Sequence, residues 1–127
     1  MAEARVAAGP HVAVISSCGD RTRLLAKLEK ALRSDVTAIV SFGIAGGLAP
    51  GLSAGTPLVA RAIVAEDGQY FECDRSWAQG LANALGGAPI VDIAGVDTAV
   101  ADPAHKRALH VATGAVAVDM ESHIAAR

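Results

Sequence analysis

The sequence predicts an α/β fold in which helices cover both faces of a mixed, largely parallel sheet, an α/β/α arrangement of three layers. Short apolar runs rich in β-branched residues alternate along the chain with segments whose apolar residues recur at helical spacing. Several of these runs are almost entirely apolar, which is typical of strands buried on both faces. Of the 127 residues, 52% are hydrophobic but only 3% are aromatic. The core must therefore consist of Ala, Val, Leu and Ile in close-packed layers, with modest stability.

Five segments have the composition of strands. The run "VTAIVSF" is nearly continuous in apolar residues, and "HVAVISS" and "AVAVDM" are short and rich in valine. A helical pattern or a glycine-rich stretch separates each segment from the next, as strands joined by crossovers require. The predicted strands are His11–Ser17, Val36–Phe42, Pro57–Asp67, Pro89–Val96 and Ala115–Met120.

Four helices are expected between and after these strands, and each begins near an acidic residue. Asp20 precedes a segment of leucines at helical spacing, where an aspartate can cap the first turn. Asp102 is followed by Pro103, which favours the first helical position, and Gly114 suits the C-terminal cap. The other two helices begin after Asp74, with Trp77, Leu81 and Leu85 one turn apart, and at Glu121.

Charge and cysteine content exclude several classes of protein. The formal net charge is −2 and no segment concentrates Lys or Arg, so no nucleic-acid partner is expected. Cys18 and Cys73 lie far apart, which favours reduced thiols and a cytoplasmic protein over a disulfide framework. The histidines lack metal-site spacing, so they are expected at the surface or at helix ends, and neither a metal nor a cofactor is predicted. They are His11, His105, His110 and His123.

A glycine-rich segment, "GIAGGLAPGLSAG", follows the predicted strand Val36–Phe42. Ligands in open α/β sheets bind beyond the carboxyl ends of strands, and glycines there let backbone N–H groups approach a ligand closely. Gly43, Gly46 and Gly47 are therefore candidate ligand contacts. The segment has neither the dinucleotide fingerprint nor the lysine of a phosphate loop. The alternative is that these glycines only build a tight crossover between strands.

Two carboxylates, Asp119 and Glu121, stand at the exit of the last predicted strand. A buried strand end with two acids is unfavourable unless the acids have partners. An ionised carboxylate only accepts hydrogen bonds, and its two oxygens can take two adjacent hydroxyls, such as the 2′- and 3′-hydroxyls of ribose. The alternative is structural, with Asp119 as the cap and Glu121 as a first-turn acid of the following helix.

The two stretches together resemble the nucleoside phosphorylase and nucleosidase superfamily. The ordered motifs "SFGIAGGLAPGL" and "AVAVDMESHIAAR", with "VAEDG" and "AGVDTAVADPA" between them, are most similar to hopanoid-associated phosphorylases. The resemblance covers nearly the whole chain, and members of the superfamily extend beyond it at both ends. Residues 1–127 are thus expected to form a single, incomplete domain of the phosphorylase/hydrolase-like fold.

What the resemblance implies is cleavage of the C–N bond between a purine and ribose, with phosphate as co-substrate or with water as the attacking group. The substrate would be a small-molecule nucleoside, with adenosylhopane, a membrane-associated lipid, as the candidate from the closer similarity. Glu121 would hold the ribose hydroxyls and Met120 would pack on the sugar, while Asp119 matches the first acid of the acid-Met-acid motif. Ala45, Gly46 and Gly47 would line the sugar or the nucleophile.

Several positions depart from the superfamily pattern. Many relatives have Ser where this chain has Ile44, and phosphorylase relatives often have Arg where Ser41 stands. No aromatic residue lies near "VDTAV" to stack on the base, and nothing matches the superfamily's aspartate that protonates the purine. Loss of a general acid costs about 10²–10⁴-fold in rate. We therefore expect weak nucleoside binding with negligible purine release, and the catalytic residue is not assigned.

Two other functions stay open at this point. One is a truncated, non-catalytic chain that folds and self-associates, because a sheet edge and apolar faces would be left uncovered. The resemblance also implies a homo-oligomer. The other is a nucleotide-binding module that uses only the glycine segment. We further expect Gly46 and Glu121 to lie at the same end of the sheet, with Asp97 as either a turn residue or a further group at a strand exit.

Overall fold

The computed structural model describes residues 2–16 and 19–127, which fall into two compact units, residues 1–44 and residues 45–127. The first unit contains helices only among its described residues, and the second contains a mixed sheet with helices. The helices are α1 (Ala2–Ala7), α2 (Arg21–Leu32), α3 (Arg75–Ala84), α4 (Pro103–Thr113) and α5 (Ser122–Ala126). The strands are β1 (Gly46–Gly47), β2 (Val59–Ala65), β3 (Tyr70–Glu72), β4 (Ile90–Gly95) and β5 (Ala117–Asp119).

Helix α2 begins as its sequence predicts. The Asp20 carboxylate accepts a hydrogen bond from the Arg23 N–H at 3.0 Å, so it satisfies one of the free donors of the first turn. Leu24 and Leu28 are buried, and Lys27 donates to the Ser16 carbonyl at 2.5 Å. The helix therefore presents a narrow apolar stripe within the first unit.

Two predicted strands are wrong. The described part of His11–Ser17 and the whole of Val36–Phe42 form no strand; Ser17 lies outside the described residues. Valine and isoleucine favour a pleated, half-buried surface, but a strand forms only where its backbone finds a neighbouring ladder. Five side chains of these two runs are more than two-fifths exposed, namely Val12, Val14, Ile39, Val40 and Phe42. An apolar run was therefore not sufficient evidence for a strand in the first unit.

The second unit contains a five-stranded sheet in the order β1-β5-β4-β2-β3, formed entirely from described residues. β2, β4 and β5 are parallel neighbours, while β1 and β3 pair antiparallel at the two edges. The parallel strands end in register, with Ala65 beside Gly95 and Gly95 beside Asp119. The chain segments that follow these three strands therefore leave the sheet at the same end of the strands. We call this end, where the three parallel strands finish, the carboxyl edge.

The edge strand β3 is absent from the sequence prediction, which extended the preceding strand to Asp67. The structure ends β2 at Ala65 and turns the chain through Asp67 and Gly68, with Gly68 at a φ of 81°. The Asp67 carboxylate accepts from the Gln69 N–H at 3.1 Å, and Ala65 N–H donates to the Gln69 carbonyl at 2.9 Å. An Asp-Gly pair between two strands is a hairpin signal, so this turn was recognisable.

Helices cover both faces of the sheet. The consecutive residues Ile90 and Val91 point to opposite faces because side chains alternate along a strand. Ile90 packs with the buried alanines of α3, whereas Val91 belongs to the cluster that includes Ala126 of α5. Leu109 of α4 packs on a third cluster around Ala94, on the same face as Ile90. The three-layer α/β/α arrangement predicted from the sequence is confirmed within the second unit.

The predicted helix ends of the second unit are also confirmed. Asp102 accepts from the His105 N–H at 2.8 Å, Pro103 is the first helical residue, and Gly114 closes α4 at a φ of 69°. Helix α3 is capped by Asp74 but buries Ala78 and Ala82 rather than its large apolar residues. Trp77, Leu81 and Leu85 are 50%, 44% and 50% exposed.

The cap of α3 is sensitive to acid. The Trp77 N–H donates to the Asp74 carboxylate at 2.8 Å, and this bond, with one from Ser76, holds the pKa of Asp74 below its ordinary value of 3.8. An acid with a lowered folded-state pKa stabilises the protein above its unfolded-state pKa, and that contribution is lost as pH falls through the folded-state pKa. Asp74→Asn keeps the capping oxygen but does not titrate. As pH falls from about 5 to 2, we expect this variant to lose less stability than the wild type does. Urea unfolding midpoints across this range test it, and equal pH slopes in both proteins would contradict it.

Candidate functional site at the carboxyl edge

The residue that ends β5, Asp119, caps the helix that follows. One carboxylate oxygen accepts from the Ser122 N–H at 3.0 Å, and the other accepts a short bond from the Ser122 hydroxyl. Both oxygens thus have a partner on the first residue of α5. The alternative that Asp119 serves as a helix cap therefore describes this residue. A contact between Asp119 and a ligand stays a prediction.

Glu121 is placed differently, although it is only two residues further along. It directly precedes α5, and its backbone carbonyl accepts from the N–H groups of Ile124 and Ala125 at 3.0 and 3.1 Å. Its half-buried carboxylate does not cap the helix and forms no hydrogen bond with any residue the structure describes. An ionised carboxylate needs donors, so Glu121 is the acid of the pair that is available to a ligand.

The glycine segment meets β5 directly. Gly46 and Gly47 form the short strand β1, where Gly46 lies opposite Val118 and Gly47 opposite Ala117. The sequence predicted a loop here, whereas the structure shows an antiparallel edge strand. This pairing places Gly46 opposite the residue that precedes Asp119. Gly43 belongs to the first unit.

Backbone N–H groups of β1 alternate in direction. Leu48 N–H donates to the Val116 carbonyl at 2.9 Å, so the next N–H toward the N-terminus, that of Gly47, points away from β5. A side chain at Gly46 would meet Val118 Cγ1 at 3.4 Å, so the two strands are close here. Met120 packs against the buried cluster that contains Leu48 and Val118. Of the two glycines of β1, only Gly47 therefore has a backbone N–H that β5 does not engage.

A buried histidine at this edge contradicts the sequence prediction of surface or cap histidines. His123 is only 3% exposed, and its Nε2 lies 3.0 Å from Oδ1 of Asp97. The ring lies over Gly95, where a Cβ would stand 2.9 Å from both Cγ and Nδ1 of His123. The signal in the sequence was a glycine at the end of a strand followed closely by an acid. Asp97 was considered for that reason, but nothing connected it to His123.

The carboxyl edge of the second unit is acidic. Glu66 and Asp67 follow β2, and Asp97 follows β4. Asp119 is the last residue of β5, and Glu121 lies two residues beyond it. Arg127 pairs with Asp67 at 2.5 Å, and the pKa of Asp67 is lowered first by the Gln69 N–H and also by this arginine. Carboxylates in this number favour ligands that present hydroxyl or amine donors over anions.

Two further properties bear on the class of site. Within residues 2–16 and 19–127, no three His, Cys, Asp or Glu side chains are grouped to hold a metal ion. None of the helices in the described part of the chain has the length and hydropathy of a membrane span.

Cys73, a free thiol, is half-buried, and this burial raises its pKa. Cys18 lies outside the described residues.

Comparison with solved structures shows that this is the fold of bacterial nucleosidases. 5′-Methylthioadenosine/S-adenosyl homocysteine nucleosidase from Campylobacter jejuni superimposes with a TM-score of 0.73 at 19% identity, over 84% of this chain and 56% of that one. The Helicobacter pylori enzyme of the same name superimposes with a TM-score of 0.73 at 24% identity, over 84% of this chain and 55% of that one. Futalosine hydrolase from Helicobacter pylori superimposes with a TM-score of 0.71 at 24% identity, over 84% and 56%.

These neighbours belong to the nucleoside phosphorylase and nucleosidase superfamily, so the fold implied by the sequence motifs is confirmed. No protein-family model and no curated protein matches the chain. The chain spans about 57% of the length of the Helicobacter pylori nucleosidase that it matches. The closer similarity to hopanoid-associated phosphorylases stays a prediction.

Proposed function

We propose that this chain forms the ribose-binding part of a site that cleaves the C–N bond between a purine and ribose. The observation that supports it is the Glu121 carboxylate, which is half-buried at the carboxyl edge and has no hydrogen-bond partner among the described residues. Its two oxygens suit the two adjacent hydroxyls of ribose. Gly47, on the neighbouring strand β1, adds a backbone N–H that points away from β5.

This arrangement suits the chemistry of C–N cleavage. As the purine leaves, positive charge develops on the ribose ring, and a nearby carboxylate stabilises that charge. Hydrogen bonds to the hydroxyls fix the sugar against the sheet edge. A mutant of the Helicobacter pylori nucleosidase of this fold was solved with 5′-methylthioadenosine in the active site, and the nucleosidase from the same organism was solved with butyl-thio-DADMe-Immucillin-A. A nucleoside is therefore the ligand class proposed for this chain.

The finer parts of the proposal concern the nucleophile, the substrate and the assembly. The acidic edge favours water over phosphate in the second unit, because the carboxylates of Glu66, Asp67, Asp97 and Glu121 would repel an anion. A purine nucleoside with a hopanoid tail is the substrate proposed from the motif resemblance. A homo-oligomer is proposed on the same ground, and a cytoplasmic location is proposed from the wide separation of Cys18 and Cys73 in the sequence.

A second candidate is a protein that binds nucleosides without turnover. It is favoured by the engagement of Asp119, whose two oxygens accept from Ser122 and so do not offer a proton to the purine. By the motif resemblance, Ile44 also replaces a serine, and it carries no hydroxyl to hold a nucleophile. On this alternative, the affinity for nucleosides survives while purine release stays at the uncatalysed rate.

The test is the binding of adenosine to the wild-type chain and to Glu121→Gln. We expect the dissociation constant to rise about tenfold or more, because a hydrogen bond to a charged group contributes about 1.5–3 kcal/mol. Isothermal titration calorimetry measures the affinity, and chromatography of released adenine separates an enzyme from a binding protein.

The matched control is Glu72→Gln on β3, which lies at the opposite edge of the sheet from β1. This variant should bind adenosine as the wild type does. Equal affinity of the wild type and Glu121→Gln would overturn the proposed ribose site.

A further inference from the structure

The His123–Asp97 pair is a feature that ribose binding does not yet explain. The imidazole is almost completely enclosed, with its side chain 4% exposed, whereas the Asp97 side chain is 52% exposed. Nε2 of His123 lies 3.0 Å from Oδ1 of Asp97. Nδ1 is buried and has no hydrogen-bond partner among the described residues. A buried, half-satisfied imidazole is unfavourable, so its presence calls for a specific role.

The surroundings of the ring define its tautomer. A carboxylate accepts hydrogen bonds and does not donate them, so Nε2 carries the proton that it donates to Asp97. A proton on Nδ1 would be an enclosed donor without an acceptor, which is the more costly arrangement. The neutral tautomer with a proton on Nε2 satisfies both conditions. His123 therefore donates a hydrogen bond to Asp97 and accepts none from it.

The ring connects the segments that surround Glu121. His123 lies in the first turn of α5, two residues after Glu121, and that turn is closed by the Glu121 carbonyl. Asp97 lies two residues beyond the end of β4, at the start of the segment that leads to α4. The ring rests on Gly95, whose missing side chain makes room for it. A bond from His123 to Asp97 therefore ties the segment that follows β4 to the turn that aims Glu121.

We propose that His123 is a positioning residue, which through Asp97 and Gly95 holds the first turn of α5 so that Glu121 faces the ribose hydroxyls. This inference rests on the proposed function, because it assigns the support of the same ribose site. Asp97 is the second member of the support, and neither residue contacts the reacting atoms. A carboxylate discriminates between adjacent hydroxyls only when its orientation is held, which is the general role of such supporting contacts.

The measured quantity is a ratio of affinities. Adenosine has both ribose hydroxyls and 2′,3′-dideoxyadenosine has neither. The dissociation constant of 2′,3′-dideoxyadenosine divided by that of adenosine therefore reports hydroxyl recognition by Glu121. A variant that only lowers stability reduces the folded fraction for both ligands equally and leaves the ratio unchanged. Calorimetric titration of the full chain with each nucleoside gives the ratio directly.

The central variant is His123→Phe. It keeps a ring over Gly95 and removes the donor to Asp97, so the fold should survive, as the far-ultraviolet spectrum and the thermal midpoint will show. We expect the ratio to fall about tenfold. His123→Gln places an amide N–H near the position of Nε2 and should restore most of the ratio. Asp97→Asn keeps the accepting oxygen and should behave as the wild type does.

A double-mutant cycle separates this inference from the proposed function. In the Glu121→Gln background, His123→Phe should cause no further fall in the ratio, since both changes act on one contact. If the wild type does not discriminate between the two nucleosides, both the ribose site and the role of His123 are refuted. If the wild type discriminates and folded His123→Phe discriminates equally well, only the positioning role is refuted. If His123→Phe does not fold, Asp97→Leu takes its place with the same expected fall, and an unchanged ratio in that variant refutes the role.

Discussion

Gly95→Ala is expected to lower the free energy of unfolding by about 3 kcal/mol, the upper range for an overpacked core. Gly95 ends β4 and is buried beneath the imidazole of His123. An added Cβ would lie 2.9 Å from Cγ and Nδ1 of the ring, and closer still to its Cβ. β4 cannot shift to relieve this contact, because Ala65 and Asp119 pair with Gly95 on either side.

Urea unfolding followed by circular dichroism measures this change. The matched control is Gly80→Ala in α3, where nothing lies within 4 Å of the added Cβ. Alanine there should raise stability by about 0.5–1 kcal/mol, because glycine is unfavourable within a helix. A Gly95→Ala protein as stable as the wild type would show that His123 does not rest on this glycine.

Ile93→Ala is expected to lower the free energy of unfolding by about 3 kcal/mol, within the range for removing most of a buried isoleucine. Ile93 is 7% exposed in the central strand, and it forms a buried cluster with Ile63 of β2 and Ala117 of β5. Flanking strands on both sides hold the backbone in place, so the structure cannot collapse fully into the cavity. The loss of buried apolar area is thus joined by the loss of packing contacts.

The same denaturation experiment applies, with Val111→Ala as its control. Val111 is 84% exposed on α4 and makes no comparable buried contacts. Its replacement should change stability by less than about 0.5 kcal/mol, with a small gain from the better helix propensity of alanine. Equal effects of the two substitutions would mean that the cluster around Ile93 contributes little to stability.

The helix ends were predictable from the sequence because their determinants are local. A cap needs only an acceptor side chain three residues before a backbone donor, and Asp20, Asp74 and Asp102 meet that condition. Gly114 was predictable for the same reason, since a left-handed residue after a helix favours glycine. These features involve neighbours within one turn, so no tertiary structure was needed to recognise them.

The strands were less predictable, because a strand depends on a partner that is distant in sequence. The runs 57–67, 89–96 and 115–120 contain β2, β4 and β5, whereas 36–42 has the same composition and forms no strand. β1 consists of two glycines, which have poor strand propensity, and it exists because β5 lies beside it. Composition identified candidate strands, and pairing decided among them.

The features of the candidate site also fall into two groups, those predictable from the sequence and those that depend on the fold. The α/β class, the capped helices and the two acids at the exit of the last strand could be predicted from residue types and their spacing. Three other facts required the folded chain: Asp119 is engaged by Ser122, Glu121 is not engaged by any described residue, and Gly46 lies beside Val118. The fold also joined His123 to Asp97 across 26 residues of sequence. Hydrogen-bond partners are set by distances in space, and a linear pattern of residue types does not contain those distances.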